Sequence, residues 1–416
     1  MRIALLFFTV LFSLAVSAQS LPDNYALVGA KIYLSPEAAP IEEGTVLVRA
    51  GKIIAAGPSQ KIKVPAGIQT IDCHGKVLTS AFWNCHVHFI EAKWMTAATA
   101  PAEQLNSQLA DMLTSHGFAH VFDIAELEFP HLLSLRQRIN TGELKGPVIY
   151  CVGIPFTPPN GSPFYILPAK LPEIGDPQEA AIHVQHQIDS GADGIKIWSA
   201  SPAHNQVVNM PLEIAKAAVA VAHKQGLPVF AHPTDNDGVN IAVDAGVDIL
   251  AHTSPDGISG ERPLWSDTLI KKMLAHHMAV IPTLKLWTWE LGRQASMPVD
   301  EAIHNALEVT AQKQLAQYQQ AGGQILFGTD VGYMADYSTD LEFQLMGTAG
   351  LDYRQILASL TTAPANRFHQ DSHTGHIAAG MDADLVLLDA DPATDVKSFA
   401  KVNTTWLRGR IIYTKN

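Results

Sequence analysis

The chain has 416 residues, with 28 Lys and Arg against 40 Asp and Glu, a formal net charge of −12. That length holds one large α/β domain or a barrel with a small companion, and the acidic balance argues against nucleic acid and anionic membrane surfaces as partners. Cys73, Cys85 and Cys151 are an odd number and too few for a disulfide framework, so the core must hold the fold.

The N-terminus reads as a secretory signal: Arg2 is its charged start, Ile3 to Val16 its apolar run, and "VSA" before Gln19 offers small residues for cleavage after Ala18. The run is too short to span a bilayer comfortably. Gln19 stands where a lipoprotein would need Cys. The expectation is a periplasmic or secreted protein that loses residues 1–18 and keeps no stable membrane anchor. Loss of Arg2 makes the mature chain one charge more negative.

From Ala26 to Val77 come short β-like runs separated by Gly and Pro turns: "ALVGAKIYLS", "GTVLVRAGKIIAAG" and "IQTIDCHGKVL". The grammar then changes. Segments such as "SHGFAHVFD", "DSGADGIKIW", "KQGLPVFAH", "DAGVDILAH" and "QAGGQILFGTD" place a Gly after a helix-like stretch, then a short apolar run ending in a polar residue. Strands alternating with helices imply parallel βα units, whose doubly buried strands read as apolar runs. Eight such strands can be counted: "FWNCHVH", "AHVFD", "PVIYCVG", "GIKIW", "PVFAH", "DILAH", "MAVIPTL" and "QILFGTD". They predict an α/β fold, a (β/α)₈ TIM barrel over residues 79–374. The alternative, an open doubly wound sheet, finds no GxGxxG or P-loop to support it. After Gly375, "ADLVLLDADP" and "TTWLRGRIIYTK" return to the first style. Residues 19–78 and 375–416 are therefore expected to form one small β-sandwich domain from both chain ends.

Reactive groups in such a barrel sit at the carboxyl ends of the strands. Those ends carry His86 and His88 on the first strand, Lys196 on the fourth, His232 on the fifth, His252 on the sixth and Asp330 on the eighth. Imidazole and carboxylate suit a borderline metal such as zinc, and the i, i+2 spacing of His86 and His88 puts both on one strand face. A single strand-end His is more often structural, and an HxH pair alone is a weak motif. Polar ends recurring on one scaffold shift the balance toward a metal site. Cys85 alternates away from the pair and is assigned to the core, while His116, His120, His223, His276 and His277 are assigned to structure. Lys196 lies inside an apolar run, where burial favours its neutral amine. That amine can add carbon dioxide, and the resulting carbamate could bridge two cations.

Aromatics are frequent after the strands: Trp94, Phe156, Phe164, Tyr165, Trp198, Trp287, Trp289 and Tyr333. They read as an apolar substrate pocket or as rim packing, with Trp198, Trp287 and Tyr333 the leading substrate-binding candidates. Lys285 and Arg293 are candidates to hold a substrate carboxylate; surface charge is the alternative.

With "HVH" (86–88), "GADGIKIW" (191–198), "VFAH" (229–232), "DILAHTS" (248–254), "FGTD" (327–330), "ILASLTTAPANRF" (356–368) and "GHIAAGMDADLVLLDADP" (375–392), the chain resembles the amidohydrolase superfamily. The nearest branch is that of imidazolonepropionase-like and prolidase-like enzymes, which include dipeptidases and carboxypeptidases. The resemblance implies two divalent metal ions, Zn²⁺ first among them. His86, His88 and Asp330 would hold the inner ion, His232 and His252 the outer, with CO₂-carboxylated Lys196 bridging. It further implies hydrolysis of amide C–N bonds in dipeptide-like or N-acyl amino acid substrates by a metal-bridging hydroxide, with Asp330 as general base and then acid. A mononuclear cyclic-amide hydrolase or deaminase is the alternative enzyme, against which Lys196 stands; a non-catalytic solute-binding barrel is the other. Homo-oligomer formation is left open. One departure is Asn84, where the family has Asp in the lead to its HxH, which leaves the surroundings of His86 to be established.

Overall fold

The computed structural model describes residues 24–203, 206–255, 262–293 and 301–415, without the side chains of 290–293 and 301–305. The expected signal segment lies outside the described residues.

Eight strands appear where the apolar runs predict them, in two parallel sheets. Phe82–Val87, Phe118–Asp123 and Val148–Cys151 form one; Ile195–Trp198, Val229–His232, Ile249–Ala251, Ala279–Ile281 and Gln324–Ile325 form the other. Isolated parallel bridges join their edges, Val87 with Val331 and Phe156 with Ile197. Cys85 N donates to Phe327 O at 2.8 Å on one side, and Trp198 N to Phe156 O at 3.1 Å on the other. Trp83, Cys85, Phe122, Phe230, Ile249, Ala279, Ile281 and Phe368 pack in one cluster, so strands of both sheets share an interior. Cys85 is thus core, as alternation suggested, and all three cysteines are free and buried.

The helices follow from local chemistry. Asp176 accepts from Gln178 N and Glu179 N at 2.8 and 2.9 Å, with Pro177 opening Pro177–Asp189. Gly246, at φ +86°, ends Asn236–Ala245 in the left-handed conformation that costs glycine least. Leu212–Lys224 buries Ile214, Ala215, Ala218, Val219 and Ala222, the three-and-four spacing of one helix face. Among the described residues no helix is long and apolar enough to cross a membrane.

The two chain ends meet in an eight-stranded sheet. Val77–Ser80 pairs in parallel with Asn24–Ile32 and antiparallel with Leu385–Leu388. The pairing runs through all eight as one sheet. Its own cluster includes Tyr25, Leu27, Val46, Leu78, Leu385 and Trp406. It is tied to the parallel strands by buried polar contacts: Ala81 N donates to Asp384 O at 2.9 Å, and His120 Nε2 lies 2.9 Å from Asp384 Oδ2. One element was not legible in the sequence, a hairpin of Ala200–Ala203 with Gln206–Asn209.

Candidate metal centre

His86, His88, Lys196, His232, His252 and Asp330 all line one cavity of about 210 Å³. They reach it from five strands or the turns just after them, His86 and His88 sharing one, which is why no single stretch of sequence contains the site. Five are buried and His232 is half-buried.

The tightest part is His86, His88 and Asp330. His86 Nε2 lies 3.2 Å from His88 Nε2 and 3.2 Å from Asp330 Oδ1, which is 2.8 Å from His88 Nε2. His88 Nδ1 donates to Ala125 O at 3.1 Å, a bond that fixes its tautomer and leaves the Nε2 lone pair facing the cluster. His252 Nδ1 is likewise engaged, 2.7 Å from Thr283 Oγ1. Burial pushes the His86 imidazole down to about 3 and those of His232 and His252 well below their ordinary value. Burial alone would raise the Asp330 carboxyl, but His86 and His88 against it hold it well below the usual range. Two ring nitrogens and a carboxylate oxygen converging on one another are metal-ligand atom types, and a divalent cation between them would satisfy all three. The residues fit the metal.

Lys196 sits in Ile195–Trp198, whose four residues are all buried. Burial lowers its amine to about 7, and its Nζ lies 5.2 Å from the Trp198 ring centre. Trp198 in turn stacks on His232, ring centres 5.2 Å apart.

The backbone bends sharply to deliver these groups. His252 has φ +87°, Thr283 +42°, Thr234 +49° and Asp330 +62°. Non-glycine residues in that region cost about 1–3 kcal/mol each, and such strain collects at functional sites. Asp330 N donates to His86 O at 2.8 Å, and His252 N to Ile281 O at 2.9 Å, bonds that hold two of the bends. Gly328 is required by packing: a Cβ there would meet Ile281 Cγ2 at 2.3 Å and His86 Cβ at 2.7 Å.

Residues 77–412 match the amidohydrolase family over most of the chain. The chain belongs to the amidohydrolase family. Ochratoxinase of Aspergillus niger is 24% identical to it over 377 residues, 80% of this chain and 75% of that protein. The solved A. niger ochratoxinase superimposes with a TM-score of 0.75 at 21% identity, covering 94% of this chain and 96% of that one. A Xaa-Pro dipeptidase with methionine bound in its active site superimposes with a TM-score of 0.79 at 20% identity, covering 94% and 100%. Likenesses at these identities establish the fold.

Of the substrate-binding candidates, Trp198, Trp287 and Tyr333 line the cavity, with Phe164 and Tyr165. Trp94 and Phe156 are core. Lys285 is a correction. It is 3% exposed and away from the cavity lining, and its Nζ donates to Asp336 O and Ser338 O at 3.0 and 2.6 Å and pairs with Asp336 Oδ2 at 2.8 Å. Its charge holds a loop together and is not offered to a ligand. Arg293 closes Leu284–Arg293, and its side chain lies outside the described residues.

Asn84 resolves the departure from the family's lead sequence. Its Nδ2 donates to Thr329 Oγ1 at 2.7 Å, while its Oδ1 accepts from His86 N and Thr329 N, both at 3.2 Å. An amide both donates and accepts, so one side chain splices the strand of His86 to the turn that carries Asp330.

Proposed function

We propose that this protein is a hydrolase of amide C–N bonds in small molecules that works with two divalent cations, Zn²⁺ first among them. The observation that carries the reading is the convergence of four histidines, one lysine and one aspartate on the floor of a single cavity at the carboxyl ends of parallel strands. When bound, the ions supply Lewis acidity and an acidified water. His86, His88 and Asp330 would hold one; His232 and His252 the other. The Lys196 amine, lowered by burial to about 7, would add to carbon dioxide with release of a proton, and the resulting carbamate would offer the ions oxygen ligands. Asp330, ionised, accepts a proton during attack on the amide carbonyl and returns it to the leaving nitrogen. The bridges between the two parallel sheets and their shared interior support reading them as halves of one (β/α)₈ barrel. Residues 19–78 and 375–416 are taken as one accompanying domain.

Peptide-like or N-acyl amino acid substrates are favoured by the names of the relatives, a Xaa-Pro dipeptidase among them. The test is metal content per chain measured with turnover of a panel of dipeptides and N-acyl amino acids. Two ions and release of free amine are expected. A single ion with turnover of cyclic amides or amino-heterocycles alone would replace this reading with the mononuclear one. We further propose export to the periplasm or medium, for which the intact mass of the mature protein should start at Gln19.

A further inference from the structure

Thr283 stands just before the helix Leu284–Arg293, the place from which a threonine usually caps a helix by accepting from its leading N–H groups. Here its Oγ1 is turned to His252 instead, 2.7 Å from Nδ1, and its backbone takes φ +42°, rare for a β-branched residue. The cap comes from another helix. Glu342, on Asp340–Thr348, is fully buried and accepts from Leu284 N at 2.9 Å through Oε1 and from Lys285 N at 2.7 Å through Oε2. Lys285 Nζ donates back to Asp336 O and Ser338 O, so residues 336–342 grip this helix start by main chain and side chain together. The turn that carries His252 is seated on the same stretch. His252 N donates to Ile281 O at 2.9 Å, and Trp287 Nε1 donates to Thr253 Oγ1 at 3.0 Å.

We propose that Glu342 is the positioning residue for His252: by taking over the helix cap it frees the Thr283 hydroxyl to fix the imidazole that would hold the outer ion. The inference rests on the two-ion reading above and adds to it a residue that touches neither ion nor substrate. With Nδ1–H donating to Thr283 Oγ1, the His252 lone pair stays on Nε2, where a cation can take it. Without the Glu342 carboxylate two buried N–H groups lack acceptors, and the Thr283 hydroxyl becomes the group they compete for. His252 then loses the contact that sets its tautomer and its angle.

The test is competition of the Zn²⁺-loaded protein with a chelator, which should release the two ions in separate steps. His252→Ala identifies the step that belongs to the outer ion. Glu342→Gln keeps the size of the side chain but sets an NH₂ donor against one of the two N–H groups. It should weaken the outer step about ten- to hundredfold and leave the inner step within about threefold. Thr283→Val, which keeps the shape and loses the hydroxyl, should do the same. Because both act through one contact, the double variant should be no more than about threefold worse than the worse single variant. Equal weakening of both steps, the mark of a merely structural role, would overturn the proposal. So would a double loss equal to the product of the single ones, or no loss in either variant. Should Glu342→Gln not fold, Glu342→Asp, too short to reach both N–H groups, takes its place under the same criteria. If the wild type holds fewer than two ions, the two-ion reading fails by itself, and the metal-free protein decides the positioning role. Its histidine ¹⁵N spectrum should show His252, assigned by its absence in His252→Ala, as one Nδ1–H tautomer in the wild type and as an average of two in Thr283→Val and the Glu342 variant. An unchanged His252 signal in the Glu342 variant would sink the proposal.

Discussion

At the amino ends of the parallel strands, donors meet acceptors. His223 Nε2 lies 2.8 Å from Asp248 Oδ2, which also accepts from Val229 N at 2.8 Å. Asp193 accepts from Cys151 N at 3.0 Å and from Arg136 Nη1 at 2.7 Å. At the carboxyl ends the same residue types are set the other way, with His86 Nε2, His88 Nε2 and Asp330 Oδ1 within 3.2 Å of one another. The difference teaches how to read a histidine in this fold. One whose polar contacts end at a carboxylate or carbonyl is a structural contact; ring nitrogens that converge on one another and on a carboxylate make a candidate ligand set.

The largest expected effect probes the carboxyl end. Asp330→Asn keeps the shape but removes the charge, and kcat should fall by about 10²–10⁴-fold while the unfolding midpoint stays put or rises. Unchanged kcat would erase the contrast between the ends. Next comes a residue of the matched kind. Asp384→Ala leaves His120 and Arg408 N without their acceptor in a buried site, so unfolding in urea should show a loss of about 3 kcal/mol with kcat per folded molecule preserved. Asn84→Ala lies between the two classes, since it binds nothing itself yet splices two ligand-bearing segments. Metal retention against a competing chelator should weaken about ten- to hundredfold. The smallest effect sharpens the comparison at its exception. Lys285 sits near the carboxyl ends but is matched like a residue of the other end, so Lys285→Met should cost about 1 kcal/mol of stability. It should change kcat/KM equally for acidic and neutral substrates. A loss confined to carboxylate-bearing substrates would restore its reading as a substrate ligand.

The strands and the six floor residues were legible because both are written locally. "GIKIW" is an apolar run with one polar residue, and Lys196 is buried for that reason. Lys285 shows where legibility ends. Nothing in "TLKLW" says that the carbonyls of Asp336 and Ser338, some fifty positions on, will surround its amine. For Trp94 and Phe156 the sequence left pocket and packing both open, since an aromatic after a strand turns to the core or the cavity according to neighbours the local sequence does not name. Asn84 was visible only as a departure, and its role needed Thr329 beside it. The hairpin Ala200–Ala203 with Gln206–Asn209 carries few β-branched residues and a Pro, a composition that suggests a loop.

The left-handed backbone at His252 and Asp330 has a consequence for how this chain responds to selection. Glycine at either position would relax the main chain, because it alone enters that region without a side-chain penalty. A library screened for heat resistance alone should therefore enrich that replacement at positions 252 and 330, and each enriched clone would discard one of the proposed metal ligands. Activity has to be part of the screen, or the most durable descendants will be inert.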